Sequence, residues 1–322
     1  MKTPRRILIS PLDWGLGHAS RIIPLIDKHL ELGDNVIIAG SGMSLNLLKK
    51  HFPQLHSIEI PSFTMKYSAG KSQVWAVAKA FPRLIYYSIR EHKALKRIVN
   101  EENIDFIISD NRFGLFHKAV PCAYITHQLL IKLPKGWAWM EPFVAFVHRC
   151  IINRFTECWV PDFEDMSESL AGELSHPNKK PRNVKYIGAL SRFQLGVRSE
   201  ELGVRNLVLA ILSGAEPQRT MLEKELLTSL QEDQHEDIIL VQGKVEAEQK
   251  VGKVGKVTVY NYMSTEELQE YILKADKIIC RSGYSSIMDL HALGKLQNAT
   301  LIPTPGQTEQ EYLAEYISNH IK

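Results

Sequence analysis

Residues 6–18 read Arg6-Ile7-Leu8-Ile9-Ser10-Pro11-Leu12-Asp13-Trp14-Gly15-Leu16-Gly17-His18, and residues 35–39 read Asn35-Val36-Ile37-Ile38-Ala39. Ile7-Leu8-Ile9 predicts a short buried strand, followed by a glycine-containing turn. Over residues 19–32, Ile22, Ile23, Leu25, Ile26 and Leu30 fall on one broad helical face, and Gly33 acts as the stop. Asn35–Ala39 is then a second strand. Strand, glycine turn, helix and strand in this order make the repeating unit of a parallel sheet covered on both faces.

The same alternation continues outward. Residues 43–51 predict a helix. Further short strands are Phe106-Ile107-Ile108 before Asp110, Cys122–Ile125 before Thr126, and Cys158-Trp159-Val160 before Pro161-Asp162. After residue 200 the pattern restarts. Leu207–Leu212 ends at Ser213-Gly214, and Asp237–Val241 ends at Gln242-Gly243. Val257–Tyr260 follows, Lys277–Cys280 ends at Arg281-Ser282-Gly283, and Ala299–Ile302 ends at Pro303. Residues 191–206 are polar and basic and read as a linker between a domain of residues 1–190 and one of residues 207–322. A chain of 322 residues is also long for one core, at about 150 residues per domain. Two open α/β sheets in tandem imply a cleft, with ligands beyond the carboxyl ends of the strands.

Hydrophobic residues at 44% and charged residues at 23% exclude a disordered chain, a collagen-like repeat and a long coiled coil. No apolar run is long enough for a membrane-spanning helix, and Ile7–Ile9 is too short for a signal-peptide core. Cys122, Cys150, Cys158 and Cys280 show no CxxC spacing, so a reduced cytoplasmic protein without a zinc ribbon is expected. Residues 1–190 carry 25 Lys+Arg against 17 Asp+Glu, whereas residues 191–322 carry 14 against 19. The basic first part calls for an acidic partner: a phosphorylated substrate, an anionic membrane surface or nucleic acid. Nucleic acid is disfavoured, because no aromatic-studded single-strand motif, zinc spacing or RNP-like strand is present. Trp137–Arg149 pairs tryptophans with a basic rim (Lys132, Lys135, Arg149, Arg154). It reads either as a contact with the edge of a bilayer or as an amphipathic core helix.

Three constellations carry chemistry. In Gly15-Leu16-Gly17-His18 the glycines allow close backbone approach, and the helix that follows offers N–H groups and a positive dipole end to an anion. Ser20 stands where a GxGxxG fingerprint needs its third glycine, and a Walker lysine is absent. His18 at the loop tip is a candidate general base, with Asp13, Asp110 and His127, each at a loop or strand end, as alternatives. The second constellation is Arg281-Ser282-Gly283-Tyr284-Ser285-Ser286, whose N–H and hydroxyl donors suit a diphosphate, with Asp289 one to two turns on to accept from ribose. The third is Pro303–Tyr312, whose Gln307, Glu309, Gln310 and Glu311 suit a polyhydroxylated ligand.

In this order the three resemble the MurG-like group of GT-B glycosyltransferases, glycosyltransferase family 28. The likeness is sharpest over residues 276–316, where Arg281, Gly283, Ser286, Asp289, Pro303 and Gln310 fill the places of the group's donor site. Asp289 stands where the group commonly has Glu, and Gly15–His18 is shorter than the group's first glycine loop. The resemblance implies a GT-B fold of two Rossmann-like domains facing a central cleft. It further implies inverting transfer from a UDP-sugar to an acceptor hydroxyl, without a metal or other cofactor. The donor would contact Gly15, Gly17, Ser213, Gly214, Arg219, Gln242, Gly243, Arg281, Ser282, Gly283, Ser285, Ser286, Asp289, Gln307, Glu309 and Gln310. His18, Asp13 or Asp110 would handle the proton. The acceptor would be a glycan or glycolipid of cell-envelope or polysaccharide synthesis, met in the cytoplasm or at the inner face of the membrane. A nucleotide-sugar hydrolase or epimerase of the same shape is the alternative.

Overall fold

A computed structural model of the chain describes residues 3–63, 73–193, 206–244 and 248–320. Most of the expected linker, residues 194–205, lies outside the described residues. The chain parts into two compact units at Leu190–Ser191.

The first unit runs β1 (Arg6–Pro11), α1 (Leu16–Glu31), β2 (Asn35–Gly40), α2 (Gly42–His51), β3 (Ser57–Glu59), α3 (Gln73–Glu102), β4 (Phe106–Asp110), β5 (Cys122–Ile125), α4 (Glu141–Ile152), β6 (Glu157–Val160) and β7 (Val184–Tyr186). Its seven strands lie in the order β3-β2-β1-β4-β5-β6-β7, all parallel. The second unit runs β8 (Leu207–Ile211), α5 (Gln218–Ser229), β9 (Asp237–Val241), β10 (Val251–Val254), β11 (Val257–Tyr260), α6 (Thr265–Lys274), β12 (Lys277–Arg281), α7 (Tyr284–Ala292), β13 (Ala299–Ile302) and α8 (Thr308–His320). Its order is β10-β11-β9-β8-β12-β13, parallel except for the antiparallel β10–β11 hairpin.

The central strands are continuous apolar runs because both of their faces are covered. Ile7, Leu8 and Ile9 have no exposed surface, nor have Val208, Leu209 and Ala210. β1 is laid against β4 by a register that sets Ile7 opposite Phe106 and Pro11 opposite Asp110. The chain enters α1 at Gly15, whose φ of +136° is open to glycine and strained for other residues. Buried Ala19, Ile22, Ile23 and Ile26 then hold α1 to the sheet.

Fully buried Arg112 knits the first sheet behind its carboxyl rim. It donates to Pro61 O at 2.7 Å, to Pro11 O at 3.4 Å and to Glu91 Oε1 at 3.0 Å. Burial pushes the Glu91 carboxyl up, and Arg112 works against that shift. All four cysteines are free thiols. Among the described residues no helix is long and apolar enough to cross a membrane.

Candidate active site

In each sheet the strand order reverses direction beside the first strand. This leaves a crevice at the carboxyl ends of β1 and β4 in the first unit, and of β8 and β12 in the second. Open α/β sheets bind ligands at such switch points.

In the first unit the crevice holds His18, Asp110 and Arg21. His18 lies in the first turn of α1, and its side chain keeps 19% of its surface exposed. Asp110 ends β4 and is completely buried. His18 Nδ1 is 3.0 Å from Asp110 Oδ2 and 2.8 Å from Arg21 Nη2. Arg21 Nε donates to Asp110 Oδ2 at 3.0 Å, and its Nη2 donates to Oδ1. A carboxylate only accepts, so a lone pair on Nδ1 facing Oδ2 would be repelled. Arg21 Nη2 can only donate and by itself favours a lone pair on Nδ1, but it also has Asp110 Oδ1 to donate to, whereas Oδ2 can only accept. The Nδ1 proton is assigned on this ground to the bond with Asp110, which leaves the Nε2 lone pair to take a proton. Burial first, then Arg21, holds His18 below the ordinary histidine value, while Asp110 pulls the other way. Burial alone would raise Asp110. Arg21, and then His18, keep it below the usual carboxylate range.

Asp13 is placed differently. Its Oδ1 accepts from the Ser44 N–H at 3.1 Å in the first turn of α2, and its carboxylate lies against Gly42. That is a helix-start contact, which ties the β1–α1 loop to α2. Trp14 anchors the same loop by donating to Phe63 O at 2.7 Å. His127, just past β5, is buried and close enough to oppose a charge on His18.

In the second unit the carboxyl ends of β9, β8, β12 and β13 stand side by side. They bring together Gln242-Gly243, Ser213-Gly214, Arg281–Ser286 and the proline loop that starts at Pro303. Gly243 has φ +67°, and a Cβ there would meet Leu212 O at 2.4 Å, so only glycine lets β9 turn this close to β8. α7 starts at Gly283 without a side-chain cap, and its first internal bond is Ile287 N–H to Gly283 O. The dipole and the first amides of that turn are directed at the rim beyond β12. Gly283, Ser285 and Ser286 are half-buried there.

The arginines expected at the donor phosphates are already engaged. Arg281 is buried and donates to Pro303 O and Gln218 O, each at 2.9 Å, which clamps the proline loop to the start of α5. Arg219 pairs with Glu216 and Glu223 and donates to Gln242 O at 3.2 Å. Ser282 is equally committed, with its hydroxyl donating to Gln310 O at 2.8 Å. In the proline loop, Gln310 Oε1 accepts from Thr304 N–H at 2.9 Å, and Gln310 Nε2 donates to Gln307 Oε1 at 2.7 Å. Glu309 is half-buried at the start of α8. These side chains shape the loops of the rim, and its small residues and backbone amides form the surface a ligand would meet. Asp289 sits on the second turn of α7, where its Oδ1 accepts from Ser191 Oγ at 2.7 Å and its Oδ2 lies 3.8 Å from Arg192 Nε. Burial raises its carboxyl, against the pull of Arg192.

Arg21 and Ser191 are not among the residues expected from the sequence. A signal for Arg21 existed, since a charged residue stands between Ala19 and Ile22 on the apolar side of α1. Among the described residues no three His, Cys, Asp or Glu side chains gather as a metal site requires.

Residues 208–322 match the family model described as the glycosyltransferase family 28 C-terminal domain. No curated protein matches the chain in sequence. Solved structures match the whole fold. The glycosyltransferase of kitacinnamycin aligns with a TM-score of 0.58 at 15% identity, over 99% of this chain and 91% of its own. UGT89C1 of Arabidopsis thaliana, solved with UDP-L-rhamnose, aligns at 0.59 and 13%, over 99% and 83%. A UDP-N-acetylglucosamine 2-epimerase assignment from Listeria monocytogenes aligns at 0.53 and 12%, over 99% and 88%, so the likeness speaks for the fold. The whole chain thus shares the GT-B fold of these solved glycosyltransferases, and residues 208–322 of its second unit match the glycosyltransferase family 28 C-terminal domain.

Proposed function

We propose that the protein moves a sugar from a UDP-sugar to an acceptor hydroxyl with inversion, using His18 as the base. The observation that carries this reading is the His18–Asp110 pair at the switch point of the first sheet. Asp110 orients the imidazole, and Nε2 takes the hydroxyl proton as the acceptor oxygen attacks C1 of the sugar. The bond from C1 to the diphosphate oxygen breaks on the opposite face, and UDP leaves with the electron pair. The first turn of α7 stabilises that charge through N–H groups and the helix dipole, a role that needs no metal.

The test is a calorimetric titration with UDP, ADP and GDP, with and without a chelator. UDP-selective binding that the chelator leaves unchanged is expected. Asp289→Ala should weaken it roughly tenfold or more, the loss of a hydrogen bond to a charged group. Absence of nucleotide binding overturns the donor assignment. Sugar release that proceeds without any acceptor would favour the hydrolase or epimerase reading.

The acceptor we propose is a glycan or glycolipid, presented at the inner face of a membrane. Trp139 and Phe143 are 75% and 62% exposed, and Phe146 also faces outward, so the aromatic side of α4 and of the preceding 3-10 turn is not core. α3 adds exposed Phe81, Ile85, Tyr86 and Ile89. Arg149 lies 5.7 Å over the Phe146 ring and Arg90 lies 5.8 Å over Tyr86, a mixture of aromatics and cations suited to a headgroup layer. Sedimentation with phosphatidylglycerol vesicles should retain the protein, and Trp139→Ala/Phe143→Ala should release most of it. Equal retention of the double variant removes this surface from the reading.

A further inference from the structure

The His18–Asp110 pair has a third member that its role as a base does not by itself require. Arg21 stands three residues after His18, on the same side of α1, and its side chain is only 3% exposed. Its Nε and Nη2 take the two oxygens of Asp110 separately, as a guanidinium fork meets a carboxylate. We infer that Arg21 is a positioning residue of the transfer reaction, which keeps His18 a free base by neutralising the Asp110 carboxylate that orients it.

The argument starts from the burial of Asp110. A lone carboxylate with no solvent around it attracts any available cation strongly. The nearest titratable neighbour is the His18 imidazole, 3.0 Å away. Left alone, the two would hold a proton as an ion pair, and an imidazolium has no lone pair with which to deprotonate a hydroxyl. Arg21 supplies the positive charge permanently, so the carboxylate can accept the Nδ1 proton of a neutral imidazole instead. Its Nη2, 2.8 Å from Nδ1, also repels a second proton on the ring.

The other groups facing the pair do not replace it. His127, from the end of β5, opposes a charge on His18 in the same direction, but it is itself a titratable imidazole. Tyr124 on β5 is buried and held neutral, its phenol pushed well above the usual value by burial first. Glu91 on α3 is taken up by Arg112. Arg21 is thus the one permanent cation among these groups that touches both His18 and Asp110.

This inference rests on His18 being the base, and the experiment separates the two. The dependence of kcat/KM on pH is measured for the wild type, Arg21→Gln, Arg21→Lys and His18→Ala. In the wild type the acidic limb should lie below the ordinary histidine value of about 6.5. In Arg21→Gln it should move up by about one pH unit or more, because the pair then holds its proton more tightly. Activity at pH 6 would drop roughly tenfold, with recovery toward the wild-type rate at high pH. Arg21→Lys should recover part of the shift. A uniform loss at every pH would show a merely structural Arg21. Full activity of His18→Ala would instead remove the base itself. If Arg21→Gln fails to fold, ¹⁵N-histidine NMR decides. The wild-type His18 titration is then compared with that of Arg21→Lys by the same NMR: a higher midpoint in Arg21→Lys supports the inference, and an unchanged midpoint overturns it.

Discussion

His18→Ala is expected to lower kcat by about 10²–10⁴-fold, the range general-base assistance supplies, with UDP affinity within twofold of the wild type. The reasoning follows from the two sheets. His18 belongs to the crevice between β1 and β4, whereas the donor rim is built by β8, β9, β12 and β13 of the second unit. Removing the imidazole leaves that rim intact, so binding and turnover should separate. A base also predicts rescue by small exogenous amines such as imidazole, supplied at high concentration. If the variant keeps wild-type turnover, proton transfer belongs to another group. If UDP affinity collapses along with turnover, His18 acts in binding.

Asp110→Asn should have the second large effect, on stability as well as rate. The amide keeps the shape but not the charge, and it strands Arg21, whose side chain is 3% exposed, without its carboxylate. Breaking a buried ion pair from one side costs about 3–5 kcal/mol. For a unit of this size that corresponds to a fall of roughly 10 °C in the Tm of the first unit. The second unit, identified in a melting scan as the transition that UDP shifts upward, should be unaffected. Turnover should also fall, because an amide can offer its N–H as readily as its oxygen and no longer selects the Nδ1–H tautomer. A Tm within a degree or two of the wild type would mean that the Arg21–Asp110 contact is not the buried pair described here.

Much of the scaffold is legible in local patterns. Strand-glycine-helix alternation is written in neighbouring residues: Ile7–Ile9, Gly15 and the Ile22/Ile26 face need only periodicity and punctuation to be read. The ends of the strands at Asp110, Ser213, Gln242 and Arg281 follow for the same reason. The long helix α3 is less visible, because Pro82 stands inside its pattern. The β10–β11 hairpin is hidden in a Val-Gly-Lys repeat whose first strand is exposed throughout, leaving no buried alternation to detect. The exposure of Trp139 and Phe143 is hidden too, since a core helix and an interfacial helix share the same apolar spacing.

The division inside the sites follows one physical rule. Sequence alone determined which residue types stand at the carboxyl ends of the strands, because secondary structure is set mainly by residues a few positions apart. Tertiary structure decided what those residues do. Arg281 finds its acceptors 22 and 63 positions away, on Pro303 and Gln218, and so becomes a clamp on the rim. Asp13 finds Ser44, 31 positions on, and becomes a helix-start contact. His18 and Arg21 find Asp110 only because β1 pairs with β4 in a register that sets Pro11 opposite Asp110. A hydrogen bond across ninety residues has no periodicity to announce it; it exists only once the sheet has brought its partners to within 3 Å.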